Sequence, residues 1–269
     1  MKVFKDIITL NKNSRGCYIL DTVKGCSGCN ENRPNGCYDN CYAQNIAKRY
    51  RFDFNNPVKR IFKTDKSVPM LFDFYDEKHM SEIIRQIKSI DMPFVRIGEM
   101  GDPSEDWEHT INVCSAISIA KKPIVIITKH WKEIPSALLP SIRSMDICIN
   151  TSISALDSDQ EIKYRLIQYE KLKSYCNSAL RIVSCDFNLD TNDGYKKYLV
   201  QKELFKNTNI INTVFRPSVD NELVTSGIIK VEKVKFLRSK VLASMYYPDS
   251  FLGFCNDCPD MCGIKASIA

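Results

Sequence analysis

Six short apolar runs alternate with amphipathic stretches along this chain, and that alternation restricts the fold more than any other feature. The runs are CYILD (17–21), PFVRIGEM (93–100), PIVIITK (123–129), DICINTSIS (146–154), LRIVSCDF (180–187) and NTVFRPS (212–218). Each is short and rich in Val, Ile or Phe, as buried strands are. Between them, segment 76–90 sets Met80, Ile83, Ile84, Ile87 and Ile90 on one helical face. Segment 108–122 does the same with Ile111, Cys114, Ile117 and Ala120, and segment 158–176 with Ile162, Leu166, Tyr169 and Leu172. Segments 193–207 and 226–242 complete the helical series, with Asp157 or Ser158 capping the third helix and Asp193 the fourth. Strands alternating with helices imply a parallel sheet with helices packed outside it. Six strands fall short of the eight of a closed barrel, which leaves a partial barrel or an open doubly wound sheet.

The fourth run carries a second signal. Side chains alternate across a strand, so Ile147, Ile149, Thr151 and Ile153 share one side and Cys148, Asn150, Ser152 and Ser154 the other. An apolar face against helices and a small polar face opposite suit the lining of a ligand site. An edge strand would show the same alternation, but the neighbouring PIVIITK run reads as central.

The chain has 269 residues, 44% hydrophobic and 26% charged, enough for a sizeable core. Its net charge of +6 permits an anionic ligand without requiring one. No apolar run is long enough to span a bilayer, and Lys5, Asp6 and Lys12 interrupt any secretory core at the N-terminus. The expectation is a cytoplasmic protein with no membrane partner. Thiols there stay reduced, so its twelve cysteines are not expected to form a disulfide framework.

Four cysteines, Cys114, Cys148, Cys176 and Cys185, are scattered singly and read as small core residues. The others cluster: Cys17, Cys26, Cys29, Cys37 and Cys41 near the N-terminus, and Cys255, Cys258 and Cys262 in a tail. Cys26-x2-Cys29 and Cys255-x2-Cys258 let two thiolates grip one metal centre, and Gly25, Gly28 and Gly36 supply the turns such a loop needs. Zinc and an iron–sulfur cluster both fit the spacing. Position favours chemistry over a structural metal. The first cluster follows strand one and leads into a helix near Cys41, and loops after the carboxyl ends of parallel strands build active sites.

With its strand, cysteine loop, helix and Cys41-Tyr42-Ala43, the sequence resembles the radical SAM superfamily, most of all a group of short, phage-associated members. VRIGEMGDP (95–103) is similar to the family's second strand and its Gly-Glu element. The resemblance covers residues 15–220 and implies a partial (β/α)6 TIM-type barrel over 1–245, with 246–269 a cysteine tail packing on it. It further implies an enzyme in which three cysteines hold a [4Fe-4S] cluster. S-adenosylmethionine closes the open iron, and one electron breaks a carbon–sulfur bond of that cofactor. Here seven residues separate Cys29 from Cys37 and three separate Cys37 from Cys41, where the family has three and two. Cys37 and Cys41 are the first choices as ligands, Cys29 the third and Cys26 its substitute. The resemblance makes Glu99 the acceptor for the cofactor's ammonium. Asn150, Ser152 and Ser154 line the cofactor face, Arg181 meets its carboxylate, and Asn188 and Arg216 stand at later strand ends for adenosine or substrate. An electron donor such as flavodoxin or ferredoxin is implied. Cys255, Cys258 and Cys262 would hold a second iron–sulfur cluster or zinc, with Cys17 or Cys26 as a fourth ligand.

The rival class is a zinc-stabilised module that binds nucleic acid or protein without catalysis. Trp107, Trp131 and the basic segment 230–240 would serve it, although on a helix that segment reads more simply as a solvated face. His130 is placed for acid–base work, a surface histidine being the plainer reading. The substrate class stays open among nucleic acid, peptide and small metabolite.

Overall fold

The computed structural model describes residues 10–60, 77–246 and 250–264. The N-terminal stretch with Lys5 and Asp6, the first position of segment 76–90 and the tail positions 247–249 and 265–269 lie outside them, as does the side chain of His79. The six expected strands form: β1 (Tyr18–Leu20), β2 (Val95–Ile97), β3 (Ile124–Thr128), β4 (Ile147–Ile153), β5 (Asn177–Ser184) and β6 (Ile210–Val214). They pair in parallel and in chain order, β1-β2-β3-β4-β5-β6, with a short antiparallel strand, Asn11–Lys12, beside β1. The architecture is therefore a partial TIM-type barrel. Among the described residues β6 does not pair with β1, and a seam stays open between them.

The helices are α1 (Tyr42–Tyr50), α2 (Glu77–Lys88), α3 (Trp107–Ser118), the short α4 (Leu139–Arg143), α5 (Asp159–Leu172), α6 (Asn192–Leu204) and the short α7 (Glu222–Thr225). Ile83, Ile87, Ile111, Ile117 and Leu172 carry the expected apolar faces into one core with β1–β4. Ser158 caps α5 in a capping box with Glu161. Thr191, not Asp193, caps α6 by accepting from the Gly194 backbone N–H.

Segment 226–242 is not a helix. It forms an antiparallel hairpin of Glu232–Phe236 and Ser239–Ala243, turning at Leu237 and Arg238. Gly227, at φ 71°, follows α7 and ends it. Beyond that glycine, Val234 and Phe236 on one strand, and Val241 and Ala243 on the other, sit at the two-residue spacing of strands, which wins over a helical reading of the same segment.

The tail crosses the open seam. Phe251 bridges in parallel to Thr213 of β6, and the Cys255 backbone N–H donates to the Arg15 carbonyl just before β1 (2.8 Å). Arg15 Nε donates to the Gly253 carbonyl at 2.7 Å. Cys255 and Cys262 are buried in the same core as Cys17, Ile149 and Ile211.

Candidate active site

The cysteine loop between β1 and α1 lies over the carboxyl ends of the strands, anchored from four directions. Gly25 N–H donates to the Met100 carbonyl (3.0 Å), and Asp102 N–H returns a bond to the Gly25 carbonyl (3.2 Å). Glu105 accepts from the Ser27 backbone N–H at 2.6 Å. Beyond β3 and β4, Tyr38 Oη donates to Asp157 at 2.8 Å, while Lys129 Nζ (3.2 Å) and Arg165 (2.7 Å) pair with the same carboxylate. Beyond β6, the Arg216 carbonyl accepts from Asn40 Nδ2 at 2.6 Å and the Tyr38 carbonyl from Asn221 Nδ2 at 2.8 Å. Arg33 reaches Glu161 of α5 at 2.8 Å.

Inside this frame the thiols converge. The neighbouring Cys26 and Cys41 thiols, together with burial, push the Cys29 thiol up. Gly36, at φ 79°, makes the approach work: a Cβ there would lie 2.3 Å from Cys41 Cβ and 2.9 Å from Cys29 Sγ. Gly28 packs against the Trp131 ring, which a Cβ would meet at 2.2 Å. Cys41 caps α1, and its thiol is pushed down to about 6 by the bond from Cys29 and by the Gln44 and Ala43 backbone N–H groups. Burial pushes Cys37 up to about 12, with Lys129 opposing. Cys37 lies in the electrostatic neighbourhood of Cys26 and Cys41. Three to four soft thiols in an enclosed loop suit an iron–sulfur cluster or zinc. Among the described residues no group of three or more His, Cys, Asp or Glu side chains is placed to hold a metal ion.

Glu99 stands beside this loop. Gly98, at φ 94°, turns the chain after β2. Asp21 holds that turn by accepting from the Glu99 and Met100 N–H groups at 2.7 and 3.0 Å. Tyr42 Oη donates to the Glu99 carbonyl at 2.8 Å, tying the turn to the start of α1, and the Glu99 carboxylate accepts from Asn13 Nδ2 at 3.4 Å with the Arg96 charge nearby.

The other expected cofactor residues separate into groups. Ser152 lies buried on the inner face of β4. Ser154 closes the turn after β4, donating to the Val183 carbonyl (2.7 Å) and giving its N–H to Asp157 (2.8 Å). Asn150 and Arg181 face inward together, Arg181 Nε donating to Asn150 Oδ1 at 3.2 Å. Both contact the tail, Asn150 through the Cys262 carbonyl (2.9 Å) and Arg181 through the Cys262 thiol (3.2 Å). Asn188 orders the turn into α6, donating to the Gly227 carbonyl at 3.0 Å. Arg216 lies 5.8 Å from the Phe236 ring of the hairpin. His130 is not at the surface. It is 1% exposed, bonds Thr151 Oγ1 at 3.0 Å and packs on Trp107. Burial, reinforced by Arg165, lowers it to about 3, so it is neutral.

Asp21, Asp102, Glu105, Lys129, Asp157 and Arg165 hold the site in place, and sequence reasoning names none of them for that role. The available signal is position: Asp21, Asp102, Lys129 and Asp157 each follow the end of a strand.

No protein-family model matches the chain, and no curated protein matches it. A solved structure does: a mutant spore photoproduct lyase with bound AdoMet and dinucleoside spore photoproduct. The match covers 88% of this chain and 71% of that one, at TM-score 0.54 and 12% identity. The likeness is one of fold.

Proposed function

We propose that this chain is a radical SAM enzyme in which Cys29, Cys37 and Cys41, with Cys26 alongside, hold a [4Fe-4S] cluster at the carboxyl mouth of the barrel. The observation that carries the reading is the convergence of the loop thiols around Gly36, beside the turn that presents Glu99. The sequence resemblance and the fold shared with an AdoMet-bound lyase support it. When bound, the cluster and S-adenosylmethionine supply one-electron cleavage of a carbon–sulfur bond.

The chain's own residues do the rest. Glu99, held by Asp21 and Tyr42, accepts the cofactor's ammonium group. Ser152 offers a hydroxyl on the inner face of β4. Ser154 and Asn188 shape the turns around the site. Trp131 over Gly28 and Tyr38 under Asp157 exclude water from the thiols. Electrons come from a small donor such as flavodoxin or ferredoxin. Residues 246–269 act as a tail that packs on the barrel.

The substrate class that fits best is a nucleic-acid strand. Beside Arg216 the hairpin region exposes Lys230, Lys233, Lys235, Arg238 and Lys240, with the carboxylates of Glu232 and, across from Lys230, Asp186. The structural neighbour carries a dinucleoside ligand.

The test is purification without oxygen, followed by assay with a strong reductant. Brown protein with iron and sulfide, releasing 5′-deoxyadenosine from S-adenosylmethionine, is expected. Cys41→Ala should abolish that release, and Glu99→Gln should raise KM for the cofactor about tenfold or more, one lost charge-assisted contact, with iron retained. Colourless protein holding only zinc would replace this reading with a zinc-stabilised binding module.

A further inference from the structure

A cavity lies at the open seam, walled by the barrel on one side and by the tail on the other. Arg15 lines it from just before β1, Arg96 from β2, Arg181 from β5, Asn212 from β6 and Asp260 from the tail. The arginines are met by neutral groups. Arg15 Nε donates to the Gly253 carbonyl (2.7 Å) and Arg96 Nη2 to the Gly98 carbonyl (3.1 Å). Arg181 donates to Asn150 Oδ1 and to Cys262 Sγ, both at 3.2 Å. Among the described residues the ion pairs of arginine belong to Arg33, Arg60, Arg85 and Arg165. Glu99 acts on Arg96 from farther away. The three guanidinium charges thus outnumber the Asp260 carboxylate that shares the cavity with them. Their field reaches Arg216, which burial and then repulsion from Arg15 and Arg96 hold below the usual arginine range.

Two buried atoms of these lining residues have no hydrogen-bond partner among the described residues. Arg96 Nε is a donor without an acceptor, and Asn212 Oδ1 an acceptor without a donor. Asn212 is 6% exposed, and its Nδ2 is engaged with Ser250 Oγ at 2.9 Å. Buried polar groups are ordinarily paired, so each of the two asks for a ligand. The arginines call for an oxyanion, which accepts from several guanidinium groups at once. Asn212 Oδ1 and the Asp260 carboxylate call for a donor in the same space. An ionised carboxylate or sulfate has no proton to give. Hydrogen phosphate has one, together with three acceptor oxygens. The cavity measures about 30 Å³, roughly twice what a single water needs, so it takes one small group.

We propose that the seam cavity is a phosphate-binding site, in which Arg15, Arg96 and Arg181 hold the oxyanion while Asn212 and Asp260 accept its proton in a hydrogen bond. The bound phosphate touches β2, β5, β6 and the tail at once, and so fastens the tail across the seam. The site is separate from the cysteine loop at the carboxyl mouth and from the basic hairpin. This inference does not rest on the S-adenosylmethionine reading, because binding is read with neither that cofactor nor a reductant present.

The experiment titrates full-length protein, purified without oxygen into buffer free of phosphate and sulfate, by calorimetry and by its thermal midpoint. The probes are inorganic phosphate, sulfate and a 5′-mononucleotide, each against sodium chloride at matched ionic strength. Inorganic phosphate should saturate one site per chain, raise the midpoint and bind about tenfold or more tightly than sulfate, which lacks the proton but stabilises proteins generally as phosphate does. Arg96→Lys keeps the charge and removes the unpaired Nε, and should weaken phosphate binding about tenfold. Arg181→Lys carries the same expectation should the first variant fail to fold. Asp260→Asn should narrow the preference for phosphate over sulfate. Arg143→Lys, an exposed arginine on the Ser174 carbonyl, should change nothing. Tighter binding of the mononucleotide than of inorganic phosphate identifies the phosphate end of a larger molecule as the occupant, and weaker binding identifies the free ion. A rise matched by sodium chloride, equal affinity for phosphate and sulfate, or unchanged affinity in the folded arginine variants would overturn the proposal.

Discussion

At the residue scale, the site depends on a few positions with no freedom to vary. Gly36 combines a left-handed backbone with contact distances that leave no room for a methyl group. Gly36→Ala should therefore cost about 1–3 kcal/mol in stability and lower iron content at the first cysteine loop, both measurable on one preparation. His130 sets a pH dependence. Its folded pKa, about 3, lies below the ordinary value of 6.5, so the unfolded chain binds the extra proton first. That contribution to stability is present above pH 6.5 and is lost as pH falls through the window from 6.5 to 3, by up to about 1.4 kcal/mol per pH unit. Denaturant titrations across that window should show the slope, and His130→Gln should flatten it. The thiols are legible in the sequence because cysteines at close spacing have few structural reasons to gather. Asp21, Asp102 and Asp157 are not, because a lone carboxylate after a strand looks like any loop residue until the distant backbone it holds is known.

At the element scale, period and capping carry most of the reading. All six parallel strands read as short apolar runs, three of the long outer helices follow from apolar spacing, and the structure adds the Ser158–Glu161 box that starts α5. Ser158→Ala should cost about 1 kcal/mol, seen as a lowered midpoint in thermal unfolding with the spectrum of the folded state unchanged. The hairpin escapes because its apolar residues satisfy both periods over a short span, and the Leu237–Arg238 turn lacks the glycine or asparagine that announces most two-residue turns. As a hairpin it projects its basic side chains near Arg216 instead of spreading them along an outer helix. Lys233→Glu/Lys235→Glu should weaken binding of a single-stranded oligonucleotide and reduce the salt slope of log K by about 1.4, two contacts' worth, while leaving the midpoint of unfolding in place. An unchanged slope would remove the hairpin from the binding surface. The inner face of β4 shows the opposite outcome. Its polar alternation predicts a ligand, yet the tail occupies its first half, because a carbonyl of the same chain answers an inward asparagine as well as a ligand would.

At the scale of the whole molecule, a parallel sheet that stops at six strands leaves a gap, and the chain fills it with its own later residues. The strand count makes the partial barrel legible. The seam crossing is not, because residues 251–255 have no periodicity to mark them, only the cysteines that follow. A metal bound to the native chain and not to the unfolded one adds to stability. Chelation should therefore lower the calorimetric midpoint of the wild-type protein by several degrees, about 1–2 kcal/mol at this size, and should move Cys37→Ser/Cys41→Ser much less. A drop of equal size in that variant would place the effect away from the first loop.

Arg15 and Gly253 meet across 238 positions of chain. A contact that distant forms late, since the intervening loop must be ordered before its ends can find each other. During synthesis, the first strand must wait with an uncovered flank until residues 253–255 have emerged. Refolding should accordingly show a slow last phase in which Arg15 and the segment around Gly253 lock together, and that phase is where a chaperone would find its opening.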